Sequence, residues 1–100
     1  MRRLWVASGF VSLVGAGPGD PGLLTVKGRQ RLQEAEVVLY DRLLDPALLD
    51  YVPATAERIY VGKEATRHAL SQSEINALLV ERGLQGKRVV RLKEIGRAHV

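Results

Sequence analysis

The sequence predicts an α/β fold: a parallel sheet whose strands are joined by crossover helices. Three observations point to it. Short apolar, β-branched runs recur along the chain, stretches with helical spacing lie between them, and capping or breaker residues mark the junctions. A strand–helix alternation of this kind closes through right-handed crossovers between parallel strands.

Phe10 to Val14 is the first apolar run, and it stops at Gly15 as a strand does before a turn. From about Leu23 to Ala35, Leu24, Gly28, Leu32 and Ala35 recur at helical spacing, with Lys27, Arg29, Arg31 and Glu34 around them. Val37 to Tyr40 is a continuous run of the fully buried type, the second strand. Asp45-Pro46 joins an N-cap residue to a proline at the first helical position, so a short helix is expected from Pro46 to about Tyr51. Arg58 to Val61 reads as the third strand, halted by Gly62. Ser71 to Glu74, "SQSE", is a capping box; Ile75, Leu78 and Leu79 then face one way, and Gly83 stands where that helix is expected to end. Lys87 to Leu92, which contains "RVVRL", is the fourth strand. The pattern leaves open which strands are neighbours.

Composition narrows the function classes. A chain of 100 residues has room for one small domain, and 46% hydrophobic with 26% charged residues argues for a globular core rather than disorder. A net charge of +4 suits an acidic partner, or solubility alone. The basic residues are scattered and aromatic residues make up 5%, so no nucleic-acid stripe is expected. The absence of cysteine excludes disulfides and thiolate metal sites, and the two histidines, His68 and His99, are too few and too far apart for a zinc site. The opening "MRRLWVASGF" lacks the apolar core of a signal peptide, and no run reaches the ~18 apolar residues of a membrane span. A soluble, cytoplasmic protein with no metal, membrane or nucleic-acid partner is expected.

In open parallel sheets ligands sit beyond the carboxyl ends of the strands. The segments leaving those ends are Gly15 to Gly19, Asp41-Arg42, Gly62-Lys63 and whatever follows Lys93. The first is part of "VGAGPGDPGLLT". It is not a dinucleotide fingerprint, because Asp20 occupies the third glycine position. Nor is there a P-loop: Gly62-Lys63 is followed by Glu64, and Gly86-Lys87 by Arg88. Phosphate is opposed on physical grounds as well. Pro18 and Pro21 each remove a backbone N–H donor, and the Asp20 carboxylate repels a phosphate at 4 Å by about 4 kcal/mol at an effective dielectric near 20. The loop is either a tight turn that lets the first helix pack, or a cradle for a neutral or cationic ligand. Asp41 either caps the turn after the second strand or serves as a base. Lys63 is a solvated strand-end lysine or a site residue. His68 suits a polar surface position, and Ser71 a helix cap.

The residues "VSLVGAGPGDPGLLTVKGRQRLQEAEVVLYDRL", then "VGK", then "GKRVVRLK" resemble the tetrapyrrole (precorrin-type) C-methyltransferases from about Val11 to Lys93. "YDRL" makes the chain similar to the branch acting on uroporphyrinogen III, found alone or as the last module of sirohaem synthase. Later precorrin methylases share the glycine loop but lack that tetrapeptide. The resemblance implies S-adenosylmethionine as methyl donor, uroporphyrinogen III as acceptor and precorrin-2 as product. The donor is a sulfonium cation without phosphate, so Asp20 and the prolines carry no penalty. The implied donor loop is Gly15, Gly17, Pro18, Gly19 and Asp20, with Pro18 as the donor-contacting proline. Asp41 falls on the proton acceptor of the family and Lys63 on its proton donor. Lys63 acts as an acid only if burial lowers its pKa, and pairing with a substrate carboxylate is the alternative. Arg42 and Arg67 are further candidate anchors for that polycarboxylate. The family also implies a homodimer.

After "VVRLK" the family continues with "GGDP", a second donor-contacting loop, whereas this chain reads "EIGRAHV" from Glu94 to Val100. Those residues match the translation of a widely used sequencing adapter. The expectation is a truncated N-terminal domain of a two-domain tetrapyrrole methylase fold over residues 1–93, with 94–100 as a non-native tail. On that basis the 100-residue chain alone is not expected to methylate.

Overall fold

The computed structural model describes residues 9–16, 24–41, 46–62 and 70–94, with only the backbone of Ala16 and Glu94. The chain runs β1 (Phe10–Ala16), α1 (Val26–Glu34), β2 (Val37–Tyr40), a 3-10 segment (Pro46–Tyr51), β3 (Glu57–Tyr60), α2 (Gln72–Leu84) and β4 (Arg88–Glu94). The strands form one sheet of order β1-β4-β2-β3, and every pairing is parallel. The expected parallel α/β sheet is therefore present, and the order left open by sequence is settled: the last strand lies between the first two.

Alternation along the strands divides the core between the faces of the sheet. Val38, Val90, Leu92 and Val14 pack with Leu32 and Ala35 of the α1 region and with Leu48 and Val52 around the 3-10 segment. Val37, Leu39, Val89 and Val61 pack with Ile75 and Leu79 of α2. β2 is apolar at every position because both of its faces are covered, and Val37, Val38 and Leu39 are fully buried.

The helix starts follow from their caps. Thr25 Oγ1 accepts from Gly28 N at 2.9 Å, which begins α1 at Val26 rather than near Leu23. The capping box of α2 is present in both directions: Glu74 N donates to Ser71 Oγ at 3.1 Å, and Ser71 N donates to Glu74 Oε1 at 2.8 Å. The expected glycine stop is displaced. Gly83 lies inside α2 and is buried, with room for only ordinary contact against Val11. Gly86 takes the left-handed conformation after the helix, at φ 84°.

Strand ends shift where pairing outruns local composition. β1 continues through Gly15 and Ala16 because β4 runs on beside it to Glu94. β4 begins at Arg88, one residue after Lys87. β3 covers Glu57–Tyr60 rather than Arg58 to Val61, although Val61 N still donates to Tyr40 O at 2.9 Å. Pro46–Tyr51 is helical as expected, in 3-10 form, while its expected cap Asp45 lies outside the described residues.

The amino end of the sheet is laced by charged groups. Arg82 donates from Nε and Nη2 to the Glu57 carboxylate at 2.9 and 3.1 Å. Arg88 N donates to Glu36 Oε1 at 2.9 Å, and Arg88 Nε to Glu34 O at 2.8 Å.

Candidate active site

Register places the strand ends level with one another. Val14, Leu92, Tyr40 and Tyr60 lie side by side across the sheet. One residue further on stand Gly15, paired with Lys93, then Asp41 and Val61, and Gly62 follows Val61. Gly15 and Lys93 are exposed. Parallel pairing thus brings the start of the glycine loop and Asp41 to the same edge of the sheet, as expected. Gly17, Pro18, Gly19, Asp20, Arg42, Lys63, Arg67 and His68 lie outside the described residues.

Asp41 does more than end a strand. Its Oδ1 lies 2.5 Å from Nη2 of Arg91, in an ion pair whose side chains are 38% and 10% exposed. Oδ1 itself is buried and makes no aligned hydrogen bond, so the contact is one of charge. The solvent-facing part of the side chain is therefore the Oδ2 side. Arg91 Nη1 donates to Leu92 O at 3.0 Å and reaches Leu39 O at 3.5 Å. Tyr40 and Tyr60 meet edge to face at 5.5 Å between ring centroids, which braces the ends of β2 and β3. Leu13, in register with Arg91, is 78% exposed and adds apolar surface to this part of the sheet.

This edge has the ingredients for a proton transfer: a carboxylate held on one side by Arg91, with an exposed glycine two strands away at the same level of the sheet. The exposed Gly15 backbone suits close approach of a ligand to the end of β1. Sequence reasoning missed Arg91. The available signal was a cation inside "RVVRL", at an alternate position that places it among buried residues.

The family model for Tetrapyrrole (Corrin/Porphyrin) Methylases matches residues 11–98. The chain belongs to the tetrapyrrole methylase family. Among curated relatives, the chain is 61% identical over 85 residues to the siroheme synthase of Baumannia cicadellinicola subsp. Homalodisca coagulata, covering 85% of this chain and 18% of that protein. It is 59% identical over 86 residues to the uroporphyrinogen-III C-methyltransferase of Bacillus subtilis (strain 168), covering 86% and 18%. The chain thus spans less than a fifth of the length of these relatives.

Among solved structures, a cobalt precorrin-4 methyltransferase superposes with a TM-score of 0.70 at 35% identity, covering 94% of this chain and 36% of that one. A uroporphyrin-III C-methyltransferase from Thermus thermophilus, complexed with S-adenosylhomocysteine, superposes at 0.65 with 49% identity, covering 86% and 35%. The parallel four-stranded sheet with its helices is therefore a part of the known tetrapyrrole methylase domain.

Proposed function

We propose that this chain supplies part of the active site of an S-adenosylmethionine-dependent methyltransferase acting on uroporphyrinogen III. The observation that carries the reading is the 59% identity to a uroporphyrinogen-III C-methyltransferase. The structural neighbours favour the same acceptor over a later precorrin, at 49% against 35% identity.

The chemistry is a transfer of CH3⁺ from sulfur to carbon. An electron-rich pyrrole carbon attacks the sulfonium methyl, the new C–C bond forms as the S–CH3 bond breaks, and neutral S-adenosylhomocysteine leaves. The macrocycle then carries a positive charge and loses a proton. Asp41 takes that proton through its open oxygen. The loop from Gly15 through Asp20, with Pro18 in contact, holds the donor. Lys63 returns a proton or pairs with a substrate carboxylate, and Arg42 and Arg67 anchor other carboxylates. Repeating the cycle at a second ring carbon gives precorrin-2. In this reading the whole protein is a homodimer, residues 1–93 belong to its N-terminal domain, and 94–100 are foreign to it. Genomic reads across codon 94 test that boundary.

The test is methyl transfer by the full-length protein carrying this segment, with methyl-labelled donor and uroporphyrinogen III. Two methyl groups per acceptor are expected, and transfer only to a later precorrin refutes the substrate. Asp41→Ala should cut turnover and leave donor affinity nearly unchanged; wild-type turnover removes that role. The 100-residue chain alone is expected to show no turnover.

A further inference from the structure

The geometry points to Arg91 as the residue that positions the Asp41 carboxylate, a role that rests on the reading of Asp41 as proton acceptor. A guanidinium among the buried residues of an inner strand is costly unless its charge and its donors are all met. Its neighbours Val89, Val90 and Leu92 are at most 2% exposed. Arg91 stays in that setting because both ends of its planar fork are used. Nη1 is fixed on main-chain carbonyls of two strands, Leu92 O of its own and Leu39 O of β2. Nη2 faces Asp41 Oδ1.

Strand alternation explains how the pair meets. Leu39 stands directly opposite Arg91. Asp41 is two residues beyond Leu39 and so returns to the same face, one pleat nearer the rim, within reach of a long side chain. The fork is rigid, so anchoring one nitrogen on the backbone fixes where the other can hold an oxygen. The carboxylate is consequently divided: Oδ1 is buried against the guanidinium, and the Oδ2 side faces the edge. A proton acceptor held in one orientation needs that division. With its side chain 10% exposed, Nη1 on two carbonyls and Nη2 against Asp41, Arg91 is poorly placed to bind a substrate carboxylate directly. It acts through Asp41.

The experiment uses the full-length protein with Arg91→Met, Arg91→Lys, Asp41→Asn and the Arg91→Met/Asp41→Asn double variant. Arg91→Met should lower kcat at least about tenfold while donor Kd and acceptor KM move less than about threefold, the pattern of an interaction used only in the reaction step. In the Asp41→Asn background the same change should cost less than about twofold more, because the two residues act as one unit. Arg91→Lys should recover part of the loss. A merely structural ion pair predicts a lower unfolding midpoint with kcat per folded molecule intact, and that result overturns the proposal. A raised KM with unchanged kcat overturns it too, by making Arg91 a substrate anchor. Full kcat in Asp41→Asn removes the proton-acceptor reading and this one with it. Loss in Asp41→Asn without loss in Arg91→Met overturns only the positioning role. If Arg91→Met does not fold, Arg91→Lys decides: a shorter cation that reaches the carbonyls or the carboxylate, but not both, must still lower kcat, and a wild-type value refutes the inference.

Discussion

Gly28→Ala should destabilise the domain, although the site is inside a helix. In an exposed helix interior this exchange stabilises by about 1 kcal/mol. Here a methyl group would lie 3.0 Å from Thr25 Oγ1, 3.2 Å from Leu24 Cδ1 and 3.2 Å from Val14 Cγ1, all tighter than ordinary contact. Leu24 is partly buried and ends in a flexible group, so it can yield. Val14 cannot yield easily: it is 5% exposed, and its branched Cβ restricts χ1. Thr25 is held by its hydrogen bond to Gly28 N, and loosening that cap costs about 1 kcal/mol. Overpacking against Val14 costs about 1–2 kcal/mol more. Against the propensity gain, a net loss of about 1–2 kcal/mol remains. Urea unfolding followed by circular dichroism should show the midpoint falling by about 1 M at unchanged slope. Val14→Ala in the same chain should make room, so the double variant should lose less than the sum of the two singles. A midpoint that rises in Gly28→Ala refutes the reasoning, since it means that α1 does not sit this close to β1.

Ser71→Ala removes the side-chain half of the α2 capping box and should cost about 1 kcal/mol of stability by denaturant unfolding; no change means that the Glu74 contact alone holds the helix start. The Arg82 hydrogen bond holds the Glu57 carboxyl below its ordinary 4.5 against the opposing effect of burial, with smaller help from the charges of Arg82 and Lys87. A lowered folded value means that the pair stabilises above the ordinary carboxylate range and that this contribution fades as pH falls through the folded value. Parent and Glu57→Gln should therefore differ near neutrality, by less than about 1 kcal/mol because Glu57 is 42% exposed, and converge in acid; a gap that persists in acid refutes the assignment. Substituting Pro18, which lies outside the described residues, should weaken methyl-donor binding measured by calorimetric titration, and an unchanged Kd counts against its place in the donor loop.

The elements were legible wherever a buried face repeats locally. Val37 to Tyr40 announces a doubly covered strand, and Ser71 with Glu74 announces a helix start, because each signal is complete within a few residues. Three features were not legible, each for a physical reason. The two glycines Gly83 and Gly86 both suit a helix end by composition. Only the folded backbone shows that the first sits inside the helix, where a Cβ would make ordinary contact with Val11, and that the second is needed for its backbone angle. The ends of β1 and β3 depend on how far the neighbouring strand runs, which neither segment encodes. Arg91 was visible as an oddity in an apolar strand, but its partner is far away in sequence and becomes its neighbour only through the register of β2 on β4.

The order of the strands also sets where Gly15, Asp41 and Arg91 stand relative to one another. Among the described residues β1 and β2 do not pair; each pairs with β4. At about 4.8 Å between neighbouring strands, the end of β1 and the end of β2 stand roughly 10 Å apart with β4 between them. The separation between Gly15 and Asp41 is thus set by the last strand in the sequence, not by the helix that connects the first two. Residues 10–41 alone carry Gly15 and Asp41 but nothing that fixes their spacing. Docking of β4 supplies the spacing through backbone pairing, and the same strand delivers the guanidinium that orients the carboxylate. β4 carries Val89, Val90 and Leu92 buried on the two faces of the sheet, so the guanidinium among them stands on a well-packed support.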